Sequence, residues 1–168
     1  TGEGGFFSSG ADFSLFSGAL SEKNTTKSRI IGVKGAKMCD VWEAMPQPTF
    51  VAVEGGVVGG ALAVAMACDF RVMSRDAYAY VPEVKMGVTF GWGSLPRLTN
   101  LVGASKAKYM SIFCEKHSAD ECKEWGLVDF VTDNETALQK ATALAQKVVK
   151  FPTLPVQLIK RGVNVSAN

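Results

Sequence analysis

The feature that most restricts how this chain can fold is a strand, a glycine-rich turn and a helix of small residues that follow one another between positions 48 and 68. The strand Phe50–Val53 is β-branched and aromatic, which is typical of a buried strand. Positions 55–60 include four glycines and are expected to form the turn, and the uniformly apolar residues 61–68 predict a helix packed on every side. A helix that begins at Gly60 presents unpaired N–H groups, which can stabilise a negatively charged oxygen. The alternative is that the glycines only allow the helix to pack closely on a sheet.

The composition is that of a single globular domain without a polyanion partner. The 168 residues suit one domain, and a hydrophobic content of 47% is enough for a core. The net charge is +2 and the basic residues are scattered, so we expect no nucleic-acid partner. The apolar run 57–67 is too short to span a membrane, so we expect no membrane association.

Four cysteines and one histidine leave little material for a metal site. The cysteines form no CxxC pair and occur at positions 39, 68, 114 and 122. No spacing around His117, the single histidine, is typical of zinc ligands. We therefore expect no metal, reduced thiols and a cytoplasmic location. His117 itself is predicted to lie on the surface before a helix.

The rest of the chain alternates strands with helices, which indicates an α/β fold. Between positions 29 and 45, apolar residues at helical spacing predict an amphipathic helix. Its apolar face includes Trp42, which we interpret as core or pocket lining. The polar segment 17–27 before it is predicted to be a mobile loop. Further strands are predicted at 70–73, 77–81 and 127–131, and further helices at 103–113, 118–125, 137–150 and 155–163.

Three segments in this order resemble one known family. They are FFSSGADF at positions 6–13, the central strand, turn and helix, and PEVKMGVTFGWGSLPRL at positions 82–98, with SADECKEWGLVDFV after them. Together they resemble the crotonase family, the enoyl-CoA hydratase/isomerase superfamily, over nearly the whole chain. The resemblance implies a spiral of ββα units with C-terminal helices, assembled as homotrimers or homohexamers. It also implies an acyl-CoA thioester as substrate, with coenzyme A as part of that substrate and neither a metal nor another cofactor.

The same resemblance assigns roles to residues of the glycine-rich segments. The backbone N–H groups of Ala11 and Gly60 are expected to hold the thioester oxygen as an oxyanion hole. Two fixed donors stabilise an enolate-like oxygen more than the ground-state carbonyl and thereby lower the barrier. The expected substrate-binding residues are Ser9, Gly59, Gly91 and Trp92.

Glu83 is the expected catalytic residue, and it stands alone. Family hydratases carry a second glutamate three residues after the oxyanion glycine, and Ala63 occupies that position here. Two carboxylates suit holding a water and moving its proton, whereas one suits moving a proton between carbons. An isomerase and a single-glutamate hydratase or lyase both remain open. So does a non-catalytic acyl-CoA-binding or accessory subunit, and so does Glu83 as a solvated turn residue.

The resemblance also sets an expectation about extent. Residues 1–168 are expected to form a single crotonase-like domain that lacks the family's N-terminal unit and part of its C-terminal helical region. Some residues that bind coenzyme A would then lie outside this sequence.

Overall fold

The computed structural model describes residues 1–12, 14 and 25–167. The described elements are, in chain order, α1 (Thr25–Ala44), β1 (Phe50–Val53), β2 (Gly56–Val58), α2 (Gly60–Met66), β3 (Phe70–Ser74), β4 (Tyr78–Tyr80), a 3₁₀ turn (Glu83–Met86), α3 (Ser94–Phe113), β5 (Lys116–Ser118), α4 (Ala119–Glu124), β6 (Phe130–Thr132), α5 (Ala137–Val148) and α6 (Thr153–Ala167). The predicted loop 17–27 lies outside the described residues up to position 24, and residues 25–27 are already part of α1.

The strands form two three-stranded sheets that the chain enters alternately. One sheet has the order β1-β3-β6 and is entirely parallel. In the other, of order β2-β4-β5, β2 and β4 are parallel and β5 is antiparallel to β4. Consecutive strands such as β1 and β2 belong to different sheets, so the chain winds as a spiral. The predicted α/β spiral, followed by C-terminal helices, is confirmed.

Three parallel segments end at the same edge of the second sheet. Ser8 bridges Val57 of β2 in parallel, and the Val58 N–H donates to the Ser8 oxygen at 3.1 Å. β2 in turn pairs with β4 through Val57 and Ala79. Because the carboxyl ends of parallel strands meet at one edge, the residues that follow each segment are brought together there. This edge holds the candidate site.

Helix α2 is the centre of the core, as its apolar sequence predicts. Five of its seven residues are buried: Ala61, Leu62, Ala63, Ala65 and Met66. They pack against apolar side chains from both sheets in one cluster. The small side chains let the helix approach the sheets on several sides, which places its first residue, Gly60, at a fixed point of the site.

Two predicted elements differ in their bounds. Residues 56–58 of the predicted turn form the strand β2, because their backbone pairs with both residue 8 and β4. The helix predicted from Gly103 begins earlier, at Ser94, and is interrupted at Gly103, whose φ of 76° and ψ of 161° are not helical. The predicted start at Gly103 is therefore the break between two helical pieces.

Two predicted environments are wrong. His117, expected on the surface, is 2% exposed, because it lies on β5 opposite Ala79 and faces the interior. Trp42, expected in the core or a pocket, is 39% exposed on α1 and lines none of the cavities described below. The helix is present as predicted, but the described residues leave much of that apolar face uncovered.

Within residues 25–167, no helix has both the length and the apolar character that crossing a bilayer requires.

Candidate active site

A cavity of about 400 Å³ lies at the edge where the three parallel segments end. Its walls come from segment 9–11, the junction of β2 and α2, the 3₁₀ turn after β4, the loop before α3, and α1. The lining residues are Ser9, Ala11, Gly32, Val58, Gly59, Gly60, Pro82, Glu83, Met86, Val88, Thr89, Phe90, Gly91 and Trp92. All seven residues that the sequence singles out for a site therefore line one cavity.

Gly10 brings segment 9–11 against the start of α2. Its φ of 97° lies in the left-handed region, which suits glycine. A Cβ at this position would lie 2.8 Å from the Val58 oxygen and 3.2 Å from the Gly60 nitrogen. The amide N–H groups of Ala11 and Gly60 are thus held close together, and no described residue accepts a hydrogen bond from either of them. Both residues line the cavity.

Gly59 lies between the start of α2 and the carboxylate of Glu83. Its backbone has φ 52° and ψ −121°, and its N–H donates to the Tyr80 oxygen at 2.9 Å. A Cβ here would lie 2.6 Å from the Glu83 Oε1 atom. Only glycine satisfies both the backbone angles and this close approach, so Gly59 sets the distance between the helix start and the carboxylate.

Glu83 places a buried carboxyl group in the wall of the cavity. It opens the 3₁₀ turn after Pro82, and it is only 8% exposed. Its Oε2 atom is buried and finds no hydrogen-bond partner among the described residues. Burial in this apolar surrounding raises the pKa of the carboxyl group above its ordinary value of 4.5. A carboxylate with a raised pKa and a free oxygen is suited to accepting and returning a proton near neutral pH.

Glu83 has no ionisable neighbour among the described residues that line the cavity. Ala63, where the resemblance would place a second glutamate, is 1% exposed and belongs to the core cluster instead. Among the described lining residues, Glu83 therefore supplies the single carboxylate.

Trp92 forms a wall of the cavity and is also packed against the core cluster. One part of the Trp92 side chain therefore lines the cavity and another part packs against the core, so each of the two interpretations is correct for part of the residue. Gly91, next to it, lines the cavity, and its oxygen accepts from the Ser94 N–H at 3.0 Å where α3 begins.

The sequence interpretation missed the contribution of α1. Gly32 lines the cavity, and Gly35, one turn further along the same helix, lies against Trp92. The signal was present, because two glycines inside an amphipathic helix have no turn to form and indicate a close approach of another group.

Several other polar residues have structural roles. Glu54, which precedes the glycine-rich segment, accepts from the Ala137 N–H at 2.6 Å and so caps α5. Asp69 accepts from the Thr49 N–H at 2.6 Å and pairs with Lys160 at 2.7 Å. Among the residues the structure describes, no three His, Cys, Asp or Glu side chains are grouped as a metal site would need. The four cysteines are free and buried.

A second cavity of about 440 Å³ lies between α2, α3 and α6, and none of the predicted site residues lines it.

Comparison with known proteins places these features in context. A sequence model of the family described as enoyl-CoA hydratase/isomerase matches residues 1–168. The short-chain-enoyl-CoA hydratase of Clostridium acetobutylicum is 35% identical over 158 residues, covering 94% of this chain and 59% of that protein. The chain therefore spans less than two thirds of the length of this relative.

Solved structures show the same architecture. DspI of Pseudomonas aeruginosa superposes with a TM-score of 0.91 at 28% identity, over 98% of this chain and 66% of that chain. An enoyl-CoA hydratase of Bacillus anthracis superposes with a TM-score of 0.80 at 30% identity, over 84% of this chain and 55% of that chain.

Proposed function

The chain belongs to the enoyl-CoA hydratase/isomerase family, and we propose that it carries the reaction centre of an enzyme that acts on acyl-CoA thioesters. The observation that carries this proposal is the position of Glu83. Its Oε2 atom has no hydrogen-bond partner among the described residues, and its Oε1 atom lies against Gly59, the residue before the start of α2.

In the proposed mechanism, the N–H groups of Ala11 and Gly60 bind the thioester oxygen. Loss of a proton from the adjacent carbon places negative charge on this oxygen, and the two donors stabilise that charge. One such donor contributes about 3–4 kcal/mol to the stability of the transition state. Ser9, Gly59, Gly91 and Trp92 surround the acyl group.

Glu83 moves the proton in this scheme. Its ionised form accepts the proton from the substrate carbon, and its protonated form returns it. With one carboxylate, the same group can deliver the proton to a second carbon and shift the double bond. Hydration requires in addition a group that holds the water molecule in place of a second carboxylate. The backbone of Gly91 is the candidate for this role.

The test is an assay of the complete protein on a 2-enoyl-CoA and a 3-enoyl-CoA. Conversion of the 3-enoyl to the 2-enoyl thioester assigns an isomerase, and addition of water to the 2-enoyl thioester assigns a hydratase. Glu83→Gln should lower kcat by about 10²–10⁴-fold in either case. Glu54→Gln is the matched control, because that glutamate caps α5 and lies outside the cavity. Full activity of Glu83→Gln would refute the proposed base.

Ala63 motivates one alternative function. If this centre binds saturated and unsaturated acyl-CoA tightly but converts neither test substrate, the protein is an acyl-CoA-binding or accessory subunit of the family. In that case, Glu83→Gln should change the affinity for acyl-CoA, and neither wild type nor the variant should convert a substrate.

The assembly, the extent and the location of the protein are also proposals. We propose a homotrimer or homohexamer, which is supported by the exposed apolar side chains of α6, among them Leu158, Ile159 and Val163. The proposed extent is one domain of a longer protein, with a further N-terminal unit and more C-terminal helix, supported by the 59% coverage of the relative. Four free thiols support a cytoplasmic location. Light scattering on the complete protein tests the assembly.

A further inference from the structure

Trp92 adopts a backbone conformation that bulky residues rarely take. Its φ of 59° lies in the left-handed region, where a side chain is strained unless its surroundings hold it in place. Arg97 supplies part of that support, because its Nη1 group donates to the Gly93 oxygen at 3.2 Å. The Nη2 group of the same side chain pairs with Asp40 at 2.8 Å and Glu43 at 2.7 Å on α1. One side chain therefore ties the Trp92 loop to α1.

The indole of Trp92 fills the space between two glycines on different helices. A Cβ on Gly60 of α2 would lie 2.5 Å from Cζ3 and 2.8 Å from Cη2, at the six-membered ring. A Cβ on Gly35 of α1 would lie well inside 3.0 Å of Nε1 and Cε2, at the five-membered ring. The ring thus spans the gap between α1 and α2, with backbone on both sides.

We propose that this wedged indole is the wall that limits the length of the acyl group. The inference rests on the proposed function, in which the Gly60 amide holds the thioester oxygen. A Cβ on that same residue would overlap the indole, so the ring lies beside the amide that is proposed to hold the carbonyl. An acyl chain held there cannot extend between α1 and α2 without displacing a ring that has backbone against both of its ends.

The substrate class that follows is a short-chain acyl-CoA. In this proposal a short acyl chain fits beside the indole, and a longer chain meets it. Each additional methylene that a pocket wall excludes or admits changes discrimination by roughly tenfold to 200-fold. The bulk of one side chain is therefore enough to set the preference.

The experiment measures binding of butanoyl-CoA and decanoyl-CoA to the complete protein and to its Trp92→Ala and Trp92→Phe variants. Both thioesters are saturated, so their affinities can be compared whether or not the protein turns over an enoyl-CoA. We expect the wild-type protein to bind butanoyl-CoA at least about tenfold more tightly than decanoyl-CoA. Trp92→Ala should reduce this preference by about tenfold or more, with Trp92→Phe in between. Trp42→Ala, outside the cavity, should leave the preference unchanged.

The same ratio of affinities in wild type and both Trp92 variants would overturn the inference, and so would equal binding of the two thioesters by wild type. If Trp92→Ala does not fold, Trp92→Phe decides alone. Turnover of a 2-enoyl-CoA and a 3-enoyl-CoA is measured separately. If the Trp92 variants change the ratio of the two affinities but the protein turns over neither enoyl-CoA, the proposed reaction is refuted and the role of Trp92 as a wall is supported. If the protein turns over an enoyl-CoA but the ratio is unchanged in the variants, the reaction is supported and the wall is refuted. Binding of neither thioester refutes both.

Discussion

Replacing Gly35 by Ala should destabilise the protein, although the same change elsewhere in a helix is favourable. In the interior of an exposed helix, Gly→Ala gains about 1 kcal/mol of folding free energy. At Gly35, the new Cβ would overlap the indole of Trp92. The indole cannot move away from this Cβ, since its other end lies against the backbone of Gly60. Overpacking of this kind costs about 1–3 kcal/mol, and an indole fixed on both sides belongs at the upper end. The expected net loss is therefore about 1–2 kcal/mol.

Gly32 provides the matched control on the same helix. A Cβ there would meet no atom of the described residues within 4 Å, so Gly32→Ala should gain roughly the full 1 kcal/mol of helix propensity. The two substitutions, three residues apart, should differ by about 2–3 kcal/mol in the free energy of unfolding. In a chain of this size, each kcal/mol corresponds to about 2–4 °C in Tm.

The assay is thermal and urea unfolding of wild type, Gly32→Ala, Gly35→Ala, Trp92→Ala and the Gly35→Ala/Trp92→Ala double variant. Once the indole is removed, Gly35→Ala should become as favourable as Gly32→Ala, which gives a coupling energy of about 2–3 kcal/mol between positions 35 and 92. The reasoning is refuted if Gly35→Ala is as stable as Gly32→Ala with Trp92 present. It is refuted equally if the cost of Gly35→Ala is the same without Trp92.

Three further substitutions test two buried groups, Glu83 and His117, and the half-buried Glu54. Because burial raises the pKa of Glu83, the folded protein binds that proton more tightly than the unfolded chain, so stability falls as pH rises from 4.5 through the raised pKa. Glu83→Gln should therefore be more stable than wild type at pH 8, by about 1 kcal/mol. Burial lowers the pKa of His117, so the unfolded chain takes up the proton first and stability falls as pH drops below 6.5; His117→Phe should remove this dependence. Glu54→Ala should cost about 0.5–2 kcal/mol, because the Ala137 N–H at the start of α5 loses its acceptor while the N-cap Thr136 remains, whereas Glu54→Gln keeps an acceptor oxygen.

Thermal unfolding between pH 4 and pH 8 checks all three. A Glu83→Gln protein less stable than wild type at pH 8 would show that the carboxylate has a partner in the folded protein. An unchanged acid dependence in His117→Phe would assign that dependence to other groups. Equal stability of Glu54→Ala and wild type would mean that the hydrogen bond from the Ala137 N–H to Glu54 contributes nothing.

The residues that line the cavity could be predicted from the sequence more completely than the burial of residues elsewhere in the fold. Ala11, Gly60 and Glu83 each follow a short parallel segment, and the sequence around each is a recognisable motif. The resemblance to the family predicts that these three motifs, far apart in sequence, share one site, and the parallel segments that end at one edge explain how the fold brings them together. The part of the site that escaped prediction comes from α1, because Gly32 and Gly35 reach it through packing between helices and not through a local motif.

Two wrong environments have related causes. Periodicity places Trp42 on the apolar face of a helix, and the helix is there, but periodicity does not say what covers a face. His117 lies between polar neighbours in a strand of only three residues, too short to be detected from the sequence. Alternate residues of a strand point to opposite sides, so His117 faces inward while Lys116 and Ser118 are exposed.

The register in which β2 pairs with β4, with Val57 opposite Ala79, determines whether a folded molecule can be active. The proposed oxyanion donor Gly60 follows β2 and the proposed base Glu83 follows β4, so the lateral pairing of these two three-residue strands aligns them. A slip of one residue would displace Glu83 by about 3.3 Å and turn neighbouring side chains to the opposite face. Such a molecule would keep its helices and most of its compactness yet lose its chemistry. Specific activity, measured per mole of natively sized protein, therefore reports strand alignment that circular dichroism would miss.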